Sequence, residues 1–563
     1  MSEQKLSKVE VIKQEGNQLR GTIAEALQDG TVKFEEENIQ QLKFHGVYQQ
    51  DDRDLRKQLR KEGKDRHYMM MVRARIPGGI LTAEQYLQFD AISERWGNGT
   101  MRITTRQTFQ LHGILKGDLK ATMQAINESL ITTLGGCGDQ VRNTISCAMP
   151  RREPYADVVR QDLLDLVDRF SARTGAYHEI WLDGEKVDLP TDAPEEPLYG
   201  RTYLPRKFKI GFTYEGDNCA DVYSNDLGIV VHLEGGTVSG YTLLIGGGMG
   251  RTASDSSTHP RLASEFAFVT RAELGDTCEA IITVQRDYGN RENRKVARMK
   301  YLIDEKGLEW FKHQVEDRLG HQLTPPRDLV WDSFEDHLGW NNHHDHDECY
   351  LGLFIPEGRI KDEGDYRLKS VLRQIMQDYG PRVHLTTQQN LILEGIRHAD
   401  RLQIERLLRQ AGVPLVEEVS TLRRNAMACV SMPTCGLAIA EAERVLPSLL
   451  PQLESVLSQY HLEDEPITVR MTGCPNGCAR PYISDIAFVG RVLGKYDVFV
   501  GADAMGTRLN EVFLEQIAFE DLASTLEPVI ALYARERKEY ERFGNFCHRV
   551  GLEALRDAVR MVR

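Results

Sequence analysis

The chain repeats itself, and that repetition restricts its fold more than any other feature. The segment 101–114 aligns without gaps to 383–396, so that Thr104, Thr105, Gln107 and Gly113 recur as Thr386, Thr387, Gln389 and Gly395. The same spacing of 282 residues relates Arg142-Asn143 to Arg424-Asn425, and Cys147 to Cys429. Upstream, Ile76-Pro77-Gly78-Gly79 resembles Ile355-Pro356-Glu357-Gly358. Downstream, 241–246 resembles 496–501, and each continues into Met-Gly, at Met249-Gly250 and Met505-Gly506. Matches that recur in one order imply a duplicated half, and self-similarity of this kind fixes architecture before any local reading does.

Within each half, β-branched or alternating runs bounded by Gly and Pro predict strands at 68–76, 101–104, 107–112, 226–233, 241–246, 350–355, 383–386, 390–393, 485–490 and 496–501. Helical periodicity predicts helices near 82–95, 117–130, 154–173, 307–319, 365–378, 399–411, 437–459 and 520–542. Strands and helices intermix without a long βαβ series, so the expected class is α+β with two pseudo-equivalent halves. With 41% apolar and 27% charged residues the chain has material for several cores, which excludes disorder as its main state. A net charge of −14 argues against nonspecific coating of nucleic acid, which needs a basic surface. The polar start, Met1-Ser2-Glu3-Gln4-Lys5, carries no signal-peptide core, and the run Leu227-Gly228-Ile229-Val230-Val231 is strand-sized; the expected location is the cytoplasm. Residues 1–65, highly charged and outside the repeats, read as a solvated arm, with donor docking as the functional alternative.

Ten cysteines are too few for a disulfide scaffold in a chain of 563 residues. Four of them cluster: Cys429 and Cys435 as C-x5-C, then Cys474-Pro475-Asn476-Gly477-Cys478 after 38 intervening residues. Four soft thiolates on two short loops suit an iron–sulfur cluster. Structural zinc competes, although zinc loops favour tighter spacings such as C-x2-C. Four inert buried thiols are the bland alternative. The other six cysteines lack partners at ligand spacing and read as small core fillers.

Cations gather on expected strands and turns: Arg73 and Arg75, Arg102 and Arg106, Arg142, and Arg206-Lys207-Phe208-Lys209. Alternate residues of a strand share a face, and no acidic residue interleaves in 101–114 or 203–212. Individually these are surface cations; together they call for a polyanionic ligand. The turn 246–251 (Gly-Gly-Gly-Met-Gly-Arg) could let backbone approach an anion, but it does not fit a dinucleotide fingerprint. The run 341–348, with His343, His344 and His346, reads as a wet loop before it reads as a metal site. The basic run 291–300 reads as an exposed helix face or as further anion contacts.

The segments 428–435 and 472–478, together with 44–54, 102–113 and 203–209, resemble the sirohaem/[4Fe–4S] nitrite and sulfite reductase family along almost the whole chain. Within that family the chain is similar to the haemoprotein (beta) subunits of assimilatory NADPH-dependent sulfite reductases. The resemblance implies a ferredoxin-like unit built from both halves and two larger sirohaem-binding α+β domains. Its expected division is an arm at 1–65, ferredoxin-like halves at 66–140 and 326–415, a sirohaem/substrate domain at 141–325 and a [4Fe–4S]/sirohaem domain at 416–563. It implies that Cys429, Cys435, Cys474 and Cys478 hold the cluster, with Cys478 also the axial ligand of the sirohaem iron. Arg102, Thr104, Arg106 and Gln110 would hold the sirohaem carboxylates, with Asn476 in the cluster loop. Arg73, Arg142, Lys207 and Lys209 would bind the substrate anion and assist proton delivery. The implied reaction is six-electron reduction of sulfite to sulfide in cysteine biosynthesis, with electrons from an NADPH-oxidising flavoprotein (FAD/FMN) subunit. Nitrite reduction, or ferredoxin as donor, is the alternative; Lys209, where nitrite-reducing relatives tend to have Asn, favours sulfite.

Overall fold

The computed structural model describes residues 6–561, apart from 175, 177–179, 183–184, 188–195, 253 and 344–346. His344 and His346 of the histidine-rich run therefore lie outside the described residues.

The two halves exchange strands. Val47–Asp51, Tyr68–Arg73, Phe109–Ile114 and Met101–Ile103 form a sheet whose far edge is Arg359–Ile360, contributed by the second half. Reciprocally, Gly339–Asn342, Glu348–Leu353, Leu391–Arg397 and Arg382–Leu385 are completed by Ile80–Leu81 of the first half. Arg359 pairs with Arg102, and Ile80 with His384, which are the same contact under the duplication. The repeated Ile-Pro-x-Gly turn delivers each exchanged strand. Gly79 and Gly358 both take positive φ, and a Cβ would meet the Leu385 carbonyl at 2.7 Å in one and the Ile103 carbonyl at 2.7 Å in the other. Only glycine fits that approach. One apolar core, including Phe89, Phe109, Leu372 and Leu393, runs through both sheets.

Residues 6–65 correct the expectation of a solvated arm. Val47–Asp51 is an antiparallel strand of the first sheet, and Ile23, Phe34 and Leu42 are buried in the shared core. Lys13 is buried with Glu10 and lies 3.7 Å from Asp139, its Nζ donating to the Leu204 carbonyl at 2.8 Å. Glu10 and Lys13 form a buried ion pair, which composition alone does not reveal.

Each half also carries a second sheet. In the first, Ile210–Tyr214 lies parallel to Leu227–Glu234, with Ile210 opposite Leu227. In the second, Val469–Thr472 lies parallel to Ile486–Val492, with Val469 opposite Ile486. The loop between each pair turns through a left-handed residue, Asp221 (φ 47°) or Arg480 (φ 51°), into a short 3-10 turn. These two residues meet on the pseudo-twofold, Arg480 Nε lying 2.6 Å from Asp221 Oδ2. The fold is α+β, as the patterning implies. Among the described residues no helix is long and apolar enough to cross a membrane.

Candidate active site

Strand pairing assembles the cysteine quartet. Ala426–Ala428 runs parallel to Val469–Thr472, which carries Cys429 to the start of the second cysteine loop. Cys429 N donates to the Met471 carbonyl at 3.1 Å, and Gly473 N to Cys429 Sγ at 3.4 Å. The backbone of Ile439 and Ala440 donates to the Gly473 carbonyl at 2.7 and 2.9 Å, which draws the Cys435 loop onto the Cys474 loop. Those bonds also explain why the helix expected from 437 begins only at Leu446. Arg53 donates to the carbonyls of Cys435 and Ala438 at 3.0 and 2.6 Å, tying the N-terminal segment to the cluster loop. Asn476 Nδ2 donates to Cys474 Sγ at 3.4 Å.

The four sulfurs feel one another. Burial pushes the thiols of Cys429 and Cys435 up and that of Cys474 to about 12, and charge on Cys478 raises all three further. Four clustered thiolates without a cation are electrostatically untenable; a metal centre supplies the missing positive charge.

A cleft opens beside this loop. It is lined by Arg206, Lys207, Arg251, Arg294, Lys295 and Arg298, with Gly250, Thr252, Tyr301 and Asn476, and among the described residues no carboxylate contributes to its wall. The turn 246–251 closes against the cluster loop: Arg251 N donates to the Pro475 carbonyl at 3.0 Å. The turn's carbonyls accept from cations. Lys300 Nζ reaches the carbonyls of Gly248 and Gly250, and Arg298 that of Gly247. The basic run 291–300 is thus neither an exposed helix face nor wholly free. Arg298 pairs with Asp226 at 2.7 Å and Arg294 with Asp139 at 2.5 Å.

Lys207 and Lys209 are half-buried, and among the described residues no hydrogen bond or ion pair reaches either ammonium. Burial first, then like charges (Lys209, Arg142, Arg206 and Arg298 on Lys207; Arg106, Arg298 and Arg142, against Asp226, on Lys209), hold both well below the ordinary lysine range. Arg142 joins this group, its Nε donating to the Gly138 carbonyl at 3.1 Å and its charge sustained by Tyr48. Arg106 is buried, with Nη1 on Asn225 and Nη2 on the carbonyls of Asn143 and Ile210; burial and Arg480 lower it to about 9. Thr104 Oγ1 accepts from Arg106 N at 3.1 Å, holding the hairpin that aims it. Arg73 donates Nε to the Gln110 carboxamide oxygen at 3.1 Å. Arg102 stands apart. Its Nε and Nη2 are taken by Glu443 and the Ala428 carbonyl at 2.8 and 2.9 Å, so its place is at the joint between the exchanged strand and the cysteine loop.

Sequence reasoning missed Arg53 and Glu443. Arg53 sat in a segment read as solvated, and Glu443 had no motif around it; only the tertiary contacts single them out.

Fold and site together define a duplicated protein with four cysteines gathered on two loops beside a cation-lined cleft. The chain belongs to the nitrite and sulfite reductase family. The model of the nitrite and sulphite reductase 4Fe-4S domain matches residues 166–323 and 421–563, and that of the nitrite/sulfite reductase ferredoxin-like half domain matches 61–129 and 341–411. The chain is 44% identical over 553 residues to the sulfite reductase [NADPH] hemoprotein beta-component of Staphylococcus haemolyticus, covering 98% of this chain and 96% of the relative. It is 45% identical to the protein of the same name from Geobacillus kaustophilus, covering 97% and 96%. Its fold is similar to that of the Mycobacterium tuberculosis NirA protein, with a TM-score of 0.79, 24% identity and 98% of both chains covered.

Proposed function

We propose that the chain is the haemoprotein component of an NADPH-dependent sulfite reductase and reduces sulfite to sulfide by six electrons, using sirohaem and a [4Fe–4S] cluster. The observation that carries the reading is the cleft: six cations and the cluster loop's Asn476 on its wall, with Arg206, Arg294, Lys295 and Arg298 paired to carboxylates set behind it and, among the described residues, Lys207 and Arg251 left without one.

The residues fit those groups. Sirohaem carries eight carboxylates, while among the described residues no ion pair reaches the Lys207 or Lys209 ammonium and the Nε atoms of Arg106 and Arg251 are buried without acceptors. Cys429, Cys435, Cys474 and Cys478 would hold the cluster, with Cys478 also among the residues that would hold the sirohaem. Arg106, Thr104, Gln110, Asn476 and Arg102 would position the macrocycle, Arg102 through the joint it makes with Glu443. When bound, the two groups supply single electrons and an iron that activates the substrate.

The chain's own contribution is field and protons. Arg73, Arg142, Lys207 and Lys209 would bind the sulfite oxygens and stabilise charge that grows on them as electrons arrive. Lys207 and Lys209 suit the role of general acid because burial and neighbouring cations weaken their hold on a proton. Each oxygen would leave as water after protonation, and the lysines would be recharged from solvent through the cleft. An NADPH-oxidising flavoprotein would deliver the electrons.

The test is metal, acid-labile sulfide and tetrapyrrole analysis of protein purified without oxygen, followed by kcat/KM for sulfite and nitrite with a chemical reductant. Tetrapyrrole with a preference for sulfite is expected. Absence of tetrapyrrole overturns the enzyme, and a preference for nitrite overturns the substrate.

A further inference from the structure

The duplication places a counterpart of the cysteine quartet in the N-terminal half, and metal-ligating side chains are found there. Cys147 N donates to the Phe212 carbonyl at 3.2 Å just as Cys429 N donates to that of Met471 at 3.1 Å, each beside the parallel strand pair of its own half. Thr105 Oγ1 donates to the Cys478 carbonyl at 3.1 Å, and its repeat partner Thr387 donates to the Cys219 carbonyl at 2.6 Å. Cys147 and Cys219 are therefore the structural equivalents of Cys429 and Cys478. The register puts Glu215 where the other half has Cys474, and Glu215 is engaged with His232 at 2.9 Å. A four-cysteine set is thus impossible here.

Asp217 and His337 complete a different set. We propose that Cys147, Cys219, Asp217 and His337 bind one divalent cation of the zinc class, at the pseudo-twofold mate of the cluster site. Their four ligand atoms all lie within 4.8 Å of one another. Cys147 Sγ is 3.3 Å from Asp217 Oδ2 and 3.6 Å from His337 Nε2, and those last two atoms are 3.2 Å apart. A tetrahedral zinc with bonds of about 2.3 Å to sulfur and about 2.0–2.2 Å to nitrogen and oxygen has edges of roughly 3.3–3.8 Å. Two thiolates with an imidazole select zinc over magnesium or calcium.

The surroundings suit the ion. Cys219 N donates to Asp217 Oδ1 at 2.9 Å, which fixes the carboxylate and leaves Oδ2 facing the thiol. Two thiolates and a carboxylate around a divalent ion leave one negative charge, and Arg151 lies 3.8 Å from Asp217 to balance it. Both cysteines are buried. With all four positions filled by protein, the site is structural rather than catalytic. His337 precedes Gly339–Asn342, the first strand of the second exchanged sheet, so the ion would pin the second half to the first. The inference does not depend on the substrate proposed above.

The test is zinc, iron and acid-labile sulfide analysis of the full-length chain purified without chelators, with zinc K-edge absorption to read the ligands. One zinc per chain with two sulfur and two nitrogen or oxygen neighbours is expected. Zinc should be lost in the Cys147→Ala/Cys219→Ala variant while iron and sulfide are unchanged. If that variant does not fold, Asp217→Asn replaces it, with zinc release to a chromogenic chelator at least about tenfold faster than from the unaltered protein. A chain that neither contains zinc nor takes up added Zn(II) overturns the proposal. So does zinc retained by the variants, or a Cys147–Cys219 disulfide in the anaerobically purified protein.

Discussion

At the residue scale the lysine pair matters most. Replacing Lys209 by Ala should lower sulfite kcat/KM by about 10²-fold, the lower range for a lost general acid, with the visible spectrum and iron content unchanged. Loss of tetrapyrrole instead would mean a structural role. The pH dependence has a fixed sign. Burial and like charges depress Lys207 and Lys209 in the free site, and a bound anion favours their protonated forms. Anion binding therefore takes up protons, and KM for sulfite should rise as pH rises above the lysine pKa values of the free site and level off above those of the complex. A KM profile that Lys209→Ala does not flatten would remove this lysine from substrate binding. The pair was legible in the sequence because no acidic residue interleaves with it. Arg102 had the same signature, yet Glu443 satisfies it across the fold, and no local pattern announces a partner that distant.

At the element scale, Glu443 joins the exchanged strand to the cysteine loop through Arg359 and Arg102. Burial opposes its ionisation, but the two guanidinium groups prevail and hold it down to about 2. Its folded pKa lies below the ordinary glutamate value, so its contribution is present above pH ~4.5 and is lost as pH falls towards 2. Glu443→Gln, which leaves two buried cations with a neutral partner, should destabilise the protein by about 3 kcal/mol at neutral pH. The gap to the unaltered protein in denaturant melts should close below pH ~4.5; a gap independent of pH would assign the loss to packing. The helices expected near 82–95, 154–173 and 365–378 occur as Ala83–Arg95, Pro154–Arg169 and Leu368–Tyr379, because amphipathic periodicity is local. The start of the helix expected at 437 was not legible, since its first residues are held by Gly473 instead.

At the scale of the molecule, reciprocal strand exchange makes the halves interdependent. Fragments 1–325 and 326–563 each lack the edge strand the other supplies, so each should aggregate when expressed alone and gain solubility when both are co-expressed. Soluble, separately folded halves would contradict the exchange. Deleting residues 1–65 removes the strand Val47–Asp51 and the Arg53 contacts to the cluster loop. The expected result is loss of folded, cluster-bearing protein, read by thermal scan and iron content; intact protein with only donor-linked turnover lost would restore the view of a detachable arm.

By itself the sequence determined that the chain is duplicated, that four cysteines share two loops, and that cations outnumber local anions on particular strands. These follow from spacing, periodicity and neighbouring charge, which are properties of short stretches. Only the tertiary structure decided which half closes which sheet, which cation is already paired, and that Cys147 and Cys219 stand beside Asp217 and His337. Those outcomes depend on desolvation and contact between residues far apart along the chain, and that energy is set only when the halves close on each other.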